Sequence, residues 1–422
     1  MGRIFRSVTA RASIAIVPAF FLLLVGCADM SRLNAVPTDV KEEDSTVFGM
    51  KDIRYWGDEA STKLVEDAVQ AYQREAAYNK ALGGSGNVPP AQFLAISGGG
   101  ENGAFGAGLL VGWTETGTRP TFKLVTGIST GALTAPFAFL GTAYDGQLKE
   151  VYTTLSAKDV MQPRGYTAVL FEDALADNTP LRRTVAKYFN EDMMKAIAAE
   201  HAKGRILLIA TTNLDARRPV IWNITKIAAS GNPHALELIH DVLVASAAIP
   251  GAFPPIMIDV EADGKTYEEM HVDGGASAQV FVYPPGLSTN EERFSDQQQA
   301  RNRHLYVIRN GRLDPDWAQV ERAVIGILGR AVSSLIQTQG VGDLYRIYLS
   351  SQRDNIDFNL AYMPETFTRQ LKEPFETAYM RELYDVGYGL AVKGYPWAKV
   401  PPGFTAPQVE PPVGTQPVSR RR

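Results

Sequence analysis

Phe122-Lys123-Leu124-Val125-Thr126-Gly127-Ile128-Ser129-Thr130-Gly131 is a short apolar run that breaks into Gly-x-Ser-x-Gly, and Ala132 to Leu140 then returns to helical composition. Strand, tight turn and helix in that order are what a nucleophile elbow requires. The serine sits in a strained turn, and small residues two before and two after it let strand and helix approach. The helix N-terminus favours negative charge developing at the hydroxyl.

About thirty residues upstream the same local order recurs. Phe93-Leu94-Ala95-Ile96 suits a buried strand, Ser97-Gly98-Gly99-Gly100-Glu101-Asn102-Gly103 a loop, and Ala104 to Trp113 a helix. A glycine loop opening a helix presents backbone N–H groups to an anion, either a nucleotide phosphate or a transient oxyanion. No Gly-Lys-Ser/Thr follows, so the loop is not a P-loop, and the acidic residue a dinucleotide fold wants about 20 residues on is missing. Further apolar runs at 205–210 and 304–308 alternate with helical segments such as 232–247. That alternation predicts an α/β fold with a mainly parallel central sheet and helices on both faces, three layers in all.

A serine nucleophile needs a base. Tyr267-Glu268-Glu269-Met270-His271-Val272-Asp273-Gly274-Gly275 reads as a strand ending in a glycine turn, and Asp273 at that end is placed to reach Ser129 from a neighbouring strand. A rival assignment makes His271 the base and Asp273 its orienter. Strand geometry disfavours it, because residues i and i+2 point the same way about 7 Å apart. His201, His234, His240 and His304 carry no motif.

These residues resemble the patatin-like phospholipase family. Four blocks match in order: Gly98-Gly99-Gly100-x-x-Gly103, Gly127-x-Ser129-x-Gly131, Ala245 through Pro255 (Ala-Ser-Ala-Ala-Ile-Pro-Gly-Ala-Phe-Pro-Pro), and Asp273-Gly274-Gly275. The resemblance implies a Ser129–Asp273 dyad without a catalytic histidine, and an acyl-enzyme intermediate. It also implies an oxyanion hole from the amides of Gly98, Gly99 and Gly100, with Gly127 and Gly131 framing the elbow. The expected substrate is a lipid or phospholipid ester, and no cofactor or metal is implied. The family commonly has an arginine where this chain has Asn102, which leaves the backbone amides untouched. The Ala245–Pro255 block reads as close packing and a proline-fixed turn.

Composition fits and excludes. The chain has 422 residues, a formal charge of −4, five histidines and one cysteine. No disulfide framework or cysteine-based zinc site is available, no EF-hand spacing occurs, and the charge gives no case for nucleic-acid binding. Arg3, Arg6 and Arg11 precede an apolar stretch, Ile14 to Val25, broken by Pro18 and too short to span a bilayer. It ends in Leu24-Val25-Gly26-Cys27, which resembles a bacterial lipobox. That implies cleavage before Cys27, lipid attachment at its sulfur and membrane anchoring in the cell envelope. Ala28 after the cysteine favours the outer membrane.

The organisation expected is a lipoprotein signal peptide over 1–26, then a lipid-anchored tether over 27–90 with an amphipathic helix at 61–81. An acyl hydrolase domain over 91–394 and a Pro-rich tail over 395–422 complete it. Ile325, Leu328, Val332 and Leu335 recur at helical spacing, a face to pack on the sheet or line an acyl groove. Competing readings are a lipid-binding envelope lipoprotein without activity, an esterase or acyltransferase on other esters, and a nucleotide-binding module built on the Gly98 loop.

Overall fold

The structure is a computed structural model that describes residues 32–40, 44–84, 88–165, 172–288, 301–315 and 317–405. The signal peptide, Cys27 and the end of the Pro-rich tail lie outside the described residues.

Nine strands form one sheet: β1 (Arg54–Trp56), β2 (Ala91–Ile96), β3 (Leu124–Gly127), β4 (Ile206–Asn213), β5 (Arg218–Asn223), β6 (Ile256–Ala262), β7 (Lys265–Asp273), β8 (Arg303–Arg309) and β9 (Asp357–Tyr362). The main path runs β1-β5-β4-β3-β2-β8-β9. From β4 to β9 every neighbour is parallel, the core expected from the βα alternation. Antiparallel strands extend it on the other side: β5 folds back on β4, β1 pairs β5, and the hairpin β6–β7 joins β4.

Side chains alternate across the parallel strands, which is why two cores form. Leu94, Ile96 and Ile308 point into a large cluster with Phe105 and Leu109 of α2 (Gly103–Glu115), Phe137 of α3 (Thr130–Leu140) and Leu383 of α9 (Thr377–Val392). Ala95, Leu305 and Val307 point the other way, onto Leu344, Ile347 and Tyr348 of the long helix α8 (Val324–Arg353). The sheet is therefore covered on both faces, as three layers. The intervening helices are α4 (Asp145–Thr154), α5 (Thr179–Tyr188), α6 (Glu191–Ala202) and α7 (Ala235–Ser246).

The helix expected at 61–81 is α1 (Thr62–Ala81), which buries Leu64 and Val65. Three segments differ from expectation. Much of the stretch read as a tether is docked: Val47 is buried, Thr46 bridges to Glu261, and β1 is a sheet strand. The first residues of the tail are also held, with Ala398 bridged to Leu360 and the Trp397 ring against Trp113 and Tyr306. The third difference lies in α8, whose Leu328, Val332 and Leu335 are each more than half exposed to solvent rather than packed on the sheet; the side chain of Ile325 lies outside what the structure describes.

Candidate active site

β3 ends at Gly127 and α3 begins at Thr130, so Ile128 and Ser129 must reverse the chain. Ser129 does so at φ 55° and ψ −125°, a left-handed geometry that a side chain other than glycine rarely adopts. Gly127 and Gly131 permit the turn. A methyl on Gly127 would collide with the Gly131 carbonyl, and one on Gly131 with the Ile96 carbonyl. The turned-out N–H of Ser129 donates to the Ser246 hydroxyl at 3.0 Å, and that hydroxyl donates to the Ala210 carbonyl at 2.7 Å.

Strand register brings Asp273 to this turn. β3 and β7 lie along the same flank of β4 and enter from opposite ends. Gly127 is in register with Ile209, and Asp273 with Thr211. The two strands stop facing each other across Ala210, and the residues just beyond each terminus share the gap. The Ser129 side chain faces the Asp273 carboxyl there, near enough for its hydroxyl to pull the carboxyl pKa down. The Gly275 N–H donates to Asp273 Oδ1 at 2.7 Å, and the Asp273 N–H donates to the Ala248 carbonyl at 2.9 Å.

Burial pushes the Asp273 carboxyl up to about 7, against the opposing pull of the Ser129 hydroxyl and the Gly275 N–H. A hydroxyl facing a buried carboxyl whose pKa is raised toward neutrality is able to pass it a proton. His271 takes no part in it. Its Nδ1 meets the Thr211 hydroxyl at 2.9 Å and its Nε2 meets Glu269 at 3.0 Å, deep in the sheet. Glu269 in turn accepts from Arg54 at 2.5 Å. The arrangement with His271 as base and Asp273 as its orienter does not form.

The glycine loop runs beside the elbow. A Cβ on Gly98 would stand 3.2 Å from that of Ser129. The loop is clamped by Asn310, just past β8: its amide nitrogen donates to the Ser97 carbonyl at 3.0 Å, and its side-chain oxygen accepts the Gly106 N–H at 3.1 Å. Gly98, expected as one of three anion donors, gives its N–H to the Gln279 carbonyl at 3.0 Å. It is occupied because the loop must be tied to the chain leaving Asp273. Gly99 and Gly100 have positive φ, 153° and 57°, and their N–H groups have no backbone or side-chain acceptor among the described residues. Asn102 accepts the Tyr379 hydroxyl at 2.7 Å and serves loop packing.

Residues 94–284 match the family model Patatin-like phospholipase. The chain carries a patatin-like phospholipase domain. By that class it is a lipid hydrolase of the serine type. No curated protein matches the chain in sequence. Solved structures similar to it include VipD from Legionella pneumophila (12% identity, 73% of this chain and 68% of that one, TM-score 0.32). Human GIVD cytosolic phospholipase A2 is another, at 11% identity over 76% of this chain and 56% of that one, with TM-score 0.29. The type III effector protein ExoU matches at 15% identity over 72% and 54%, with TM-score 0.18. The chain thus spans little more than half the length of the last two.

In this patatin-like domain Ser129 and Gly100 open onto a cleft holding about 940 Å³ of empty space, part of it continuous with solvent. Its wall is almost entirely apolar, with Leu133, Phe137, Val185, Met193, Leu243 and Phe253 among the lining side chains. Glu101 stands in the same wall, and burial raises its carboxyl pKa above the ordinary value. Among the described residues no group of three or more His, Cys, Asp or Glu side chains is placed to hold a metal ion.

Sequence reasoning left out Ser246, Ala248, Gln279 and Asn310. Ser246 and Ala248 stand within the block read as packing alone. Their small size was the visible signal, and their hydrogen bonds depend on the register of β4.

Proposed function

We propose that the chain hydrolyses carboxylic esters of lipids, phospholipids among them, through a Ser129–Asp273 dyad. The observation carrying this reading is the convergence of the strained Ser129 turn and the buried Asp273 carboxyl at one end of an apolar cleft that Ser129 lines.

The cleft accepts one acyl chain and leads its carbonyl to Ser129. Ser129 Oγ forms a bond to the carbonyl carbon while its proton passes to Asp273. The carbonyl oxygen becomes an oxyanion between the N–H groups of Gly99 and Gly100; losing one such donor costs related hydrolases about 3–4 kcal/mol of barrier. Collapse of the intermediate breaks the ester bond, and Asp273 returns the proton to the leaving alcohol. Water then repeats the sequence on the acyl-enzyme, with Asp273 again taking and giving the proton. Aspartate is ordinarily too weak a base for a hydroxyl. The raised pKa brings it toward the range where base catalysis at neutral pH is effective.

Ser129→Ala and Asp273→Asn are each expected to abolish hydrolysis of a short fluorogenic ester and of phospholipid, with circular dichroism unchanged. A fluorophosphonate should add one label to the parent chain, at Ser129 by peptide mass. Full activity in either folded variant removes that residue from the mechanism.

The same reading places the chain in the bacterial envelope, anchored through Cys27, with Ala28 favouring the outer membrane. Position, apolar leader and the chain's only cysteine support it. Metabolic palmitate labelling should mark the parent and not Cys27→Ser; label in both would end the assignment.

A further inference from the structure

Helix α8 is two structures in one. Its C-terminal half packs Leu344, Ile347 and Tyr348 beneath the sheet. Its N-terminal half is apolar and uncovered. Val324, Ile327, Leu328, Val332 and Leu335 are each more than half exposed, and so is Trp317 on the approach. At 100° per residue these helical positions fall within an arc of about 140°, and Gly326, Gly329, Arg330, Ser333 and Ser334 occupy the rest of the circumference. From Ala323 to Gly342 the only ionisable residue is Arg330.

The uncovered half is tied at its C-terminal end to the segment that holds the glycine loop. Gln339 accepts from the Gln279 side-chain amide at 3.1 Å, and the Gln279 carbonyl holds the Gly98 N–H. Gln337 donates to the Arg312 carbonyl at 3.0 Å. Leu335 lies one turn beyond this anchor and Val324 about 22 Å beyond, at 1.5 Å per residue.

We infer that the N-terminal half of α8 is a bilayer-docking element, lying in the headgroup–acyl boundary of a membrane beside the mouth of the site. The inference rests on the lipid-hydrolase reading for its purpose. Its physical basis is the helix itself. Among the described residues no helix is long and apolar enough to cross a membrane. An apolar face about 17 Å long with a small, polar and cationic opposite side suits burial in the plane of the interface. The segment and its approach carry an arginine and a tryptophan, side chains that settle at headgroup level.

The test uses the full chain with Cys27→Ser, so that no lipid anchor forms, and with Val332→Cys carrying a polarity-sensitive dye. Vesicles of phosphatidylglycerol and phosphatidylcholine in equal parts should shift the emission to the blue, and brominated acyl chains should quench it. Unchanged emission with vesicles overturns the proposal. So does blue emission before lipid is added together with a doubled mass in sedimentation, which would make a second copy the occupant. In a parallel arm, Leu328→Asp with Val332→Asp should slow release from vesicles by about tenfold and leave turnover of a soluble short-chain ester unchanged. Equal loss on both substrates, or loss on neither, counts against docking. If the parent cleaves neither substrate, the hydrolase reading fails, and the dye still decides insertion.

Discussion

The hydroxyl of Ser246 accepts the backbone N–H of Ser129 at 3.0 Å. Two residues on, the Ala248 carbonyl accepts the N–H of Asp273. One short segment at the end of α7 thus grips both members of the dyad by their backbones. The strained turn at Ser129 aims its N–H away from the helix ladder, so without Ser246 that donor is buried and unpaired. Ser246→Ala should lower stability by about 1–3 kcal/mol, the usual cost of such an orphan. It should also lower kcat by about tenfold, as expected for a misplaced reacting atom, with KM near that of the parent. Thermal melts and a kcat-against-KM comparison on a soluble ester check this. A parental kcat would mean the elbow holds its own shape.

The raised carboxyl of Asp273 makes a prediction with a sign. The base is the ionised form, so kcat/KM should climb about tenfold per pH unit below about 7 and level off above it. Stability runs the opposite way. A carboxyl that binds its proton more tightly when folded contributes fully below its unfolded value, and that contribution is lost as pH rises through about 7. Asp273→Asn removes the loss. The variant should gain on the parent as pH rises from about 4 to about 7 and keep that gain above it, by an amount on the order of a few kcal/mol, and gain nothing in acid. Denaturant titrations at the two extremes measure the difference.

Much of this site was legible because its parts are local. Phe93–Ile96 with Ser97–Gly103, and Phe122–Thr126 with Gly127–Gly131, each announce strand, turn and helix within a dozen residues, and β2, α2, β3 and α3 follow them closely. The meeting of Ser129 with Asp273 was expected, but not its means: two strands entering one flank of β4 from opposite ends, a relation of register between segments far apart in sequence. The same limit hid the loss of Gly98 as a donor, since Gln279 reaches it only through the turn after Asp273. The solvent-facing half of α8 was misread for a different reason. Helical spacing reports that one face is apolar; it does not report what covers it.

The two remaining donors of the glycine loop should respond differently to alanine. A methyl on Gly99 would overlap the Asn310 carbonyl, a backbone atom that cannot step aside, whereas nothing lies within 4 Å of one on Gly100. Gly99→Ala should therefore shift the loop and cut kcat by about 100-fold or more, the cost of losing an oxyanion donor. Gly100→Ala keeps its amide and bears only the backbone penalty of positive φ, about 1–2 kcal/mol of stability. Measured kcat and melting temperatures should thus separate the neighbours. Equal kcat losses would place the anion elsewhere.

Beneath the dyad, Arg54, Glu269 and His271 form a buried chain that ends on Thr211, the residue in register with Asp273. Burial alone would push the Glu269 carboxyl up, but the Arg54 guanidinium and the His271 ring outweigh it and hold it at about 2. A depressed carboxyl contributes stability above its unfolded value and loses it as pH falls toward 2. Glu269→Gln removes the buried carboxylate that Arg54 grips with both terminal nitrogens, and breaking such a pair costs about 3–5 kcal/mol. The deficit should be full at neutral pH and shrink in acid. His271→Gln separates this structural duty from catalysis. It should lower the melting temperature and leave kcat within a few-fold of the parent, with the limb near pH 7 in place, because that limb belongs to Asp273. Loss of the limb in folded His271→Gln would restore the histidine as the base.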